Sequence, residues 1–271
     1  MSSEPIDPKS SARAFYAVQL KRLRTERKLT QAELGGHPAV MVSDKLIGHV
    51  ENCYRPPTHR LSKGLDKAFE LSEFFESLYV AIKRESGIPS QFWDYAEQEA
   101  IACGIKSYQH FLIQGLVQTE EYAREVLRAG QRPDRLDELV AARLRRQEIL
   151  RGDDPPWFTV LLDEAVIRRL VGDRGIMRRQ LEHLLITMEE PNITLRIVPA
   201  GAPVYLSGAF NLLSFHEAPS IAYVEGVGGH GQIIEPGRQV SDLEVLFDQA
   251  GAQALPVGDS AKLILAVLED L

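Results

Sequence analysis

Apolar side chains in the first third of the chain recur every three or four residues. Across residues 14–28, Tyr16, Leu20 and Leu23 fall at i, i+4 and i+7, with Lys21, Arg22, Arg24 and Arg27 around the rest of the turn. This is the spacing of an amphipathic helix. Thr30 opens a second helix: "TQAE" fits a capping box, in which the threonine hydroxyl takes an N3 amide and Glu33 reaches back to the cap. Gly35-Gly36 and Pro38 end it within about two turns. Ser43 is the next N-cap, and "DKLIGHVEN" continues as a helix with Leu46 or Ile47 and Val50 inward. "YRPPTH" then breaks the chain. Leu61, Leu65 and Phe69 mark a further helix, and Phe74, Phe75, Leu78 and Ile82 another. "SGIPS" at 86–90 reads as a domain boundary.

Beyond that point the periodicity is mixed. Residues 91–103 and 119–129 read as helices, the second capped by Thr119, and a long helix at 133–151 carries Leu136, Leu139, Val140 and Leu144 on its apolar side. "WFTVLL" (157–162) and "ITLRIV" (193–198) are strand-like runs of β-branched and aromatic residues, with two helices between them that end near Met188. Strands are expected at 209–215 and 220–225, with a weaker one at 231–234. Helices at 237–250 and 259–270 close the chain. The expected class is α+β: a disordered leader (1–11), an all-α domain (12–85), and a mixed α+β domain (90–271).

Composition narrows the setting. A hydrophobic content of 44% and a charged content of 25% suit an ordinary globular chain, and no apolar run approaches the roughly 20 residues that span a bilayer. "MSSEPIDPKSSARAF" lacks the basic start and apolar core of a secretory signal. Cys53 and Cys103 are far apart and form no CxxC pair, which points to a reduced, cytoplasmic protein.

The net charge of −7 is unevenly spread. Residues 9–63 hold eleven Lys and Arg against Glu26, Glu33, Asp44 and Glu51, a balance of +7 that leaves −14 for the rest. A basic module on an acidic body can attract phosphate while the body limits non-specific binding.

The stretch "TQAELGGHPAVMVSDKLIGHVEN" (30–52) has two readings. As a metal site it would use His37, His49, Cys53 and His59, yet no C-x₂-C or H-x₃-H pair anchors them. As short helix, turn and short helix it has the layout of a helix-turn-helix, whose second helix enters the major groove. Leu34, Ile47 and Val50 would pack the pair. Asp44, Lys45 and His49 then face outward on the second helix, Ser43 sits at its start, and the Gln31 amide lies free near the groove edge. Gln can bond adenine, Lys favours guanine acceptors and Asp accepts from cytosine. Arg22, Arg24, Lys28 and Arg55 would meet phosphates. The expectation is a binding protein for double-stranded DNA with no catalytic residues, metal or cofactor.

"LTQAEL", "VSDKLIGHVEN" and "RPP" resemble the Xre-type, phage-repressor-like helix-turn-helix regulators. Gly48 stands where the family commonly has Ser, Val50 where it has Ile, and Cys53 where a glycine follows the helix. The turn "GGHPAVMV" is about two residues longer than in the shortest members. "LIQGLVQTEEYAREVLRAG" (112–130), "DDPPWFTVLLDEAVIRR" and "PNITLRIVPAG" resemble the C-terminal domain of actinobacterial WhiJ-like, Scr-type antitoxin-like regulators over residues 90–270. That resemblance implies a transcriptional regulator whose second domain binds a small acidic partner protein encoded nearby. Reading two half-sites one helical turn apart requires a homodimer, with the second domain in its interface.

The remaining signals are weaker. "GVGGHG" (226–231) matches G-x-G-x-x-G, but "QIIEPG" follows where a dinucleotide site needs a helix; a glycine-rich hairpin fits better. Asp153-Asp154, Asp163-Glu164 and Glu189-Glu190 read as solvated helix ends. Trp157, Phe158, Tyr205, Phe210, Phe215 and Tyr223 read as core. Two alternatives for the second domain are a small-molecule sensor, which would need a buried polar pocket, and an enzyme fused to a DNA-binding domain, which would need carboxylates or histidines converging from separate segments.

Overall fold

A computed structural model describes residues 6–85, 90–129, 135–152, 154–226 and 231–271. Several features singled out in the sequence lie outside the described residues: residues 1–5 of the leader, most of "SGIPS", the first residues of the helix expected from 133, Asp153, and residues 227–230 of "GVGGHG". The chain divides into two compact units, residues 1–93 and 94–271.

Among the described residues the first unit holds five complete helices: α1 (Ala12–Glu26), α2 (Gln31–Gly35), α3 (Asp44–Glu51), α4 (His59–Phe69) and α5 (Phe74–Glu85). Four begin at hydroxyl caps, where a side-chain oxygen accepts an otherwise orphaned amide. Ser11 takes Ala14 N–H, Thr30 takes Glu33 N–H, Ser43 takes Leu46 N–H and Thr58 takes Leu61 N–H. The fifth start, that of α5, is held by the buried Asp66 carboxylate, which accepts from Phe75 N–H (2.9 Å) and Glu76 N–H (3.0 Å). Residues 7–10, part of the expected leader, form a turn closed by Ser10 N–H on the Asp7 carbonyl.

The core of this unit gathers the periodic apolar residues Tyr16, Leu20, Leu34, Ile47, Val50, Leu61, Leu65, Phe69, Phe75 and Ile82. The long turn contributes as well. Val40 is buried, and the turn runs so close to α4 that a Cβ on Gly64 would stand 2.5 Å from the Ala39 carbonyl oxygen. Only glycine lets α4 approach the turn backbone this closely.

The second unit carries one six-stranded sheet in the order β3-β2-β1-β4-β5-β6. Its strands are β1 (Gly104–Gln109), β2 (Trp157–Asp163), β3 (Ile193–Val198), β4 (Phe210–Ser214), β5 (Ile221–Val224) and β6 (Gln232–Ile234). β1, β2 and β3 run parallel, whereas β4 is antiparallel to β1 and the sheet continues antiparallel to β6. Among the described residues its helices are α6 (Ser90–Ile101), in which the boundary falls, α7 (Glu120–Arg128), α8 (Leu136–Gln147), α9 (Glu164–Arg168), α10 (Arg174–Thr187), α11 (Arg238–Gln253) and α12 (Val257–Glu269). The molecule is therefore mixed α+β, and no described helix is long and apolar enough to cross a membrane.

Strand side chains alternate between faces. On one face Tyr108, Leu161, Phe210, Leu212 and Ala222 pack with Val240, Phe247 and Ala250 of α11. On the other face, Ser107, Asn211 and Tyr223 stand side by side across β1, β4 and β5.

Two expectations are corrected here. Trp157 and Tyr205, read as core, are 71% and 90% exposed: Trp157 lies at the first position of β2 and Tyr205 in the loop before β4, so no packed layer covers them. "GIKSYQ", for which no strand was expected, is β1, at the centre of the sheet.

Candidate nucleic-acid interface

The geometry of α2 and α3 is set by hydrogen bonds from both ends. Glu33 accepts from Thr30 N–H (2.7 Å) and Thr30 Oγ1 (2.9 Å), completing the capping box. The Thr30 amide, then its hydroxyl, hold the Glu33 carboxyl below the usual range. At the other end Glu51 is almost wholly buried, and Arg24 of α1 grips it at two points, Nε–Oε1 2.6 Å and Nη2–Oε2 3.0 Å. The remaining Arg24 arm donates to the Leu29 carbonyl (2.7 Å). Hydrogen bonding to Glu51 raises the Arg24 pKa further.

This cluster corrects two expectations. The Gln31 amide is not free: Nε2 donates to Glu51 Oε2 at 2.8 Å. Gly48 of α3 makes room for it, since a Cβ there would stand 3.1 Å from Gln31 Oε1. Arg24, expected on phosphate, spends its guanidinium on Glu51 and Leu29, and its side chain is only 15% exposed. Both residues orient the helix pair from beneath.

The other expected contacts fall differently. Asp44 and Lys45 are exposed in the first turn of α3, and Ser43, half-buried, caps it. His49 is not on a solvated face: it is half-buried, with its ring edge-on to Tyr54 at 6.1 Å. Arg22 is exposed and bonded to Gln19 and Glu26, both at 3.0 Å. Lys28 is exposed just beyond α1 with φ 56°, while Arg55 is half-buried beyond α3. Two residues that the periodicity did not single out also flank α3 on the surface, Met41 (64% exposed) before it and Tyr54 (51% exposed) after it. Their signal was an apolar residue in a turn, which pattern alone assigns to packing.

The suspected metal ligands have separate employments. His37 Nδ1 accepts from Ala39 N–H (3.2 Å), His59 stacks on Tyr79 at 5.0 Å, and burial raises the Cys53 thiol. Among the described residues no three His, Cys, Asp or Glu side chains converge as a metal site.

Residues 92–266, well over half of the chain, match the family model of DUF5753, a domain of unknown function. The chain belongs to this family. No curated protein and no solved structure matches it. The DUF5753 region takes in the whole six-stranded sheet, and α2 and α3 lie before it.

Proposed function

We propose that the protein is a sequence-specific DNA-binding transcriptional regulator of the Xre type, in which α2 and α3 form a helix-turn-helix and α3 enters the major groove. The observation that carries this reading is the clamp of Arg24 and Gln31 on Glu51. It holds two short capped helices together and leaves Asp44 and Lys45 exposed at the leading end of the second. In such an arrangement the first residues of the second helix reach base edges. Ser43, Asp44 and Lys45 are the base-reading set, with His49 and Tyr54 at the groove rim; Arg22, Lys28 and Arg55 supply phosphate contacts. The excess of Lys and Arg in residues 9–63 favours approach to a polyanion.

The DUF5753 region is assigned dimerisation and the binding of a small acidic partner protein, on the resemblance to WhiJ-like, Scr-type antitoxin-like regulators. The proposed activity is binding, not catalysis, in the cytoplasm. The test of the DNA reading is to capture genomic fragments with the purified full-length protein and sequence them. A shared two-fold-related motif is the expected result. Retention of all sequences alike would overturn the reading.

A further inference from the structure

Two glycines wedge the turn between α2 and α3 against its neighbours. A Cβ on Gly35 of α2 would stand 2.5 Å from the Val42 carbonyl oxygen, and one on Gly64 of α4 equally close to that of Ala39. Val40 is buried in the core of this unit and Val42 packs against it. The Val42 amide donates to the Gly35 carbonyl (3.0 Å), and the Met41 amide to that of His37 (3.0 Å). Between these fixed points Met41 takes a left-handed φ of 48°, and its side chain is 64% exposed. That backbone region carries an energetic penalty for every residue except glycine, and long side chains rarely enter it.

Folding does not account for methionine at this place. Glycine would reach the same φ without penalty, and most of the Met41 side chain lies outside the core. Strained residues of this kind gather at functional sites. The location is specific as well. Met41 stands two residues ahead of Ser43, the cap of α3, at the same end of that helix as the exposed Asp44 and Lys45.

The base edges in a major groove offer hydrogen-bond donors, acceptors and one exposed apolar group, the C5 methyl of thymine. An unbranched thioether side chain adapts readily to such a partner. We propose that Met41 packs on a thymine methyl and so specifies thymine at one position of each half-site, beside the positions read by Asp44 and Lys45. This inference rests on the DNA-binding reading above and adds an apolar contact to its polar set.

The test uses the full-length protein on its captured operator, with each thymine of a half-site replaced in turn by deoxyuridine, which lacks only the methyl. Fluorescence anisotropy compares the unaltered protein with Met41→Gln, whose side chain is nearly as long but polar, and with Met41→Leu. One thymine-to-uridine replacement should weaken the unaltered protein about fourfold, the scale of one buried methyl group. Met41→Gln should lose about as much on the thymine operator and show no further loss on the uridine one, the coupling expected of two groups in contact. Met41→Leu, still apolar, should keep its dependence on the methyl. Equal affinity of the unaltered protein for every uridine operator overturns the inference and leaves the DNA reading standing. So does a Met41→Gln protein that remains as sensitive to each methyl as the unaltered one. If no operator is captured, the DNA reading fails and takes this inference with it.

Discussion

Arg24 and Glu51 meet through two near-parallel hydrogen bonds, 2.6 and 3.0 Å long, that join α1 to the last residue of α3. Twenty-seven residues separate the partners. Glu51 also holds Gln31, so one carboxylate ties three helices. Removing one partner of a buried pair strands the other. Glu51→Ala should therefore cost about 3 kcal/mol of unfolding free energy, measured by urea denaturation of the full chain. The paired replacement Arg24→Met with Glu51→Leu should recover most of that loss.

Gly48 sits where a Cβ would press on the Gln31 carboxamide, 3.1 Å away. The neighbour is the end of a flexible side chain, and alanine gains roughly 1 kcal/mol of helix propensity over glycine. Gly48→Ala should thus be neutral or slightly stabilising. Gly48→Leu should displace Gln31 from Glu51 and cost about 1–2 kcal/mol, the range for an interrupted buried hydrogen bond. Thermal unfolding of the two variants separates these outcomes.

On the DNA-binding reading, Lys45→Ala should lower affinity and relax sequence preference at one position, by about 1–3 kcal/mol of discrimination. Lys28→Ala should weaken all sequences equally and flatten the salt dependence by roughly one unit of slope. Fluorescence anisotropy on the captured operator at several salt concentrations would measure both. Arg24→Ala should act on folding instead.

Two carboxylates give stability opposite pH slopes. Glu33 is held below its ordinary range by the Thr30 amide. Its contribution is present above the unfolded pKa of about 4.3 and is lost as pH falls through the lower folded value. Glu225 is raised by desolvation, so the folded state holds its proton more tightly and stability falls as pH climbs from the unfolded toward the folded pKa. Glu33→Gln should remove Glu33's acid-side contribution, and Glu225→Gln the other, in denaturation curves recorded from pH 3 to pH 8.

What the sequence disclosed was local. Thr30, Ser43 and Thr119 each cap a helix within three residues of themselves, and a pattern confined to one turn can be read in one turn. Arg24 and Gln31 were misplaced because their partner lies 27 and 20 residues away, and a cation near a basic helix otherwise suggests phosphate. β1 was missed because its inward residues include Ser107 and Gln109, both buried, and polar residues at a hidden sheet face defeat any alternation rule.

The position of β1 bears on how the chain is made. Gly104 pairs with Trp157 on one side and Ser214 on the other, so its antiparallel neighbour is more than a hundred residues downstream. At about 5–20 residues per second of synthesis, β1 leaves the ribosome roughly 5–20 s before β4 exists. The first unit, assembled from short-range helix contacts, can be complete well before then. The sheet must wait, and for that interval the strand destined for its centre is an unpaired edge.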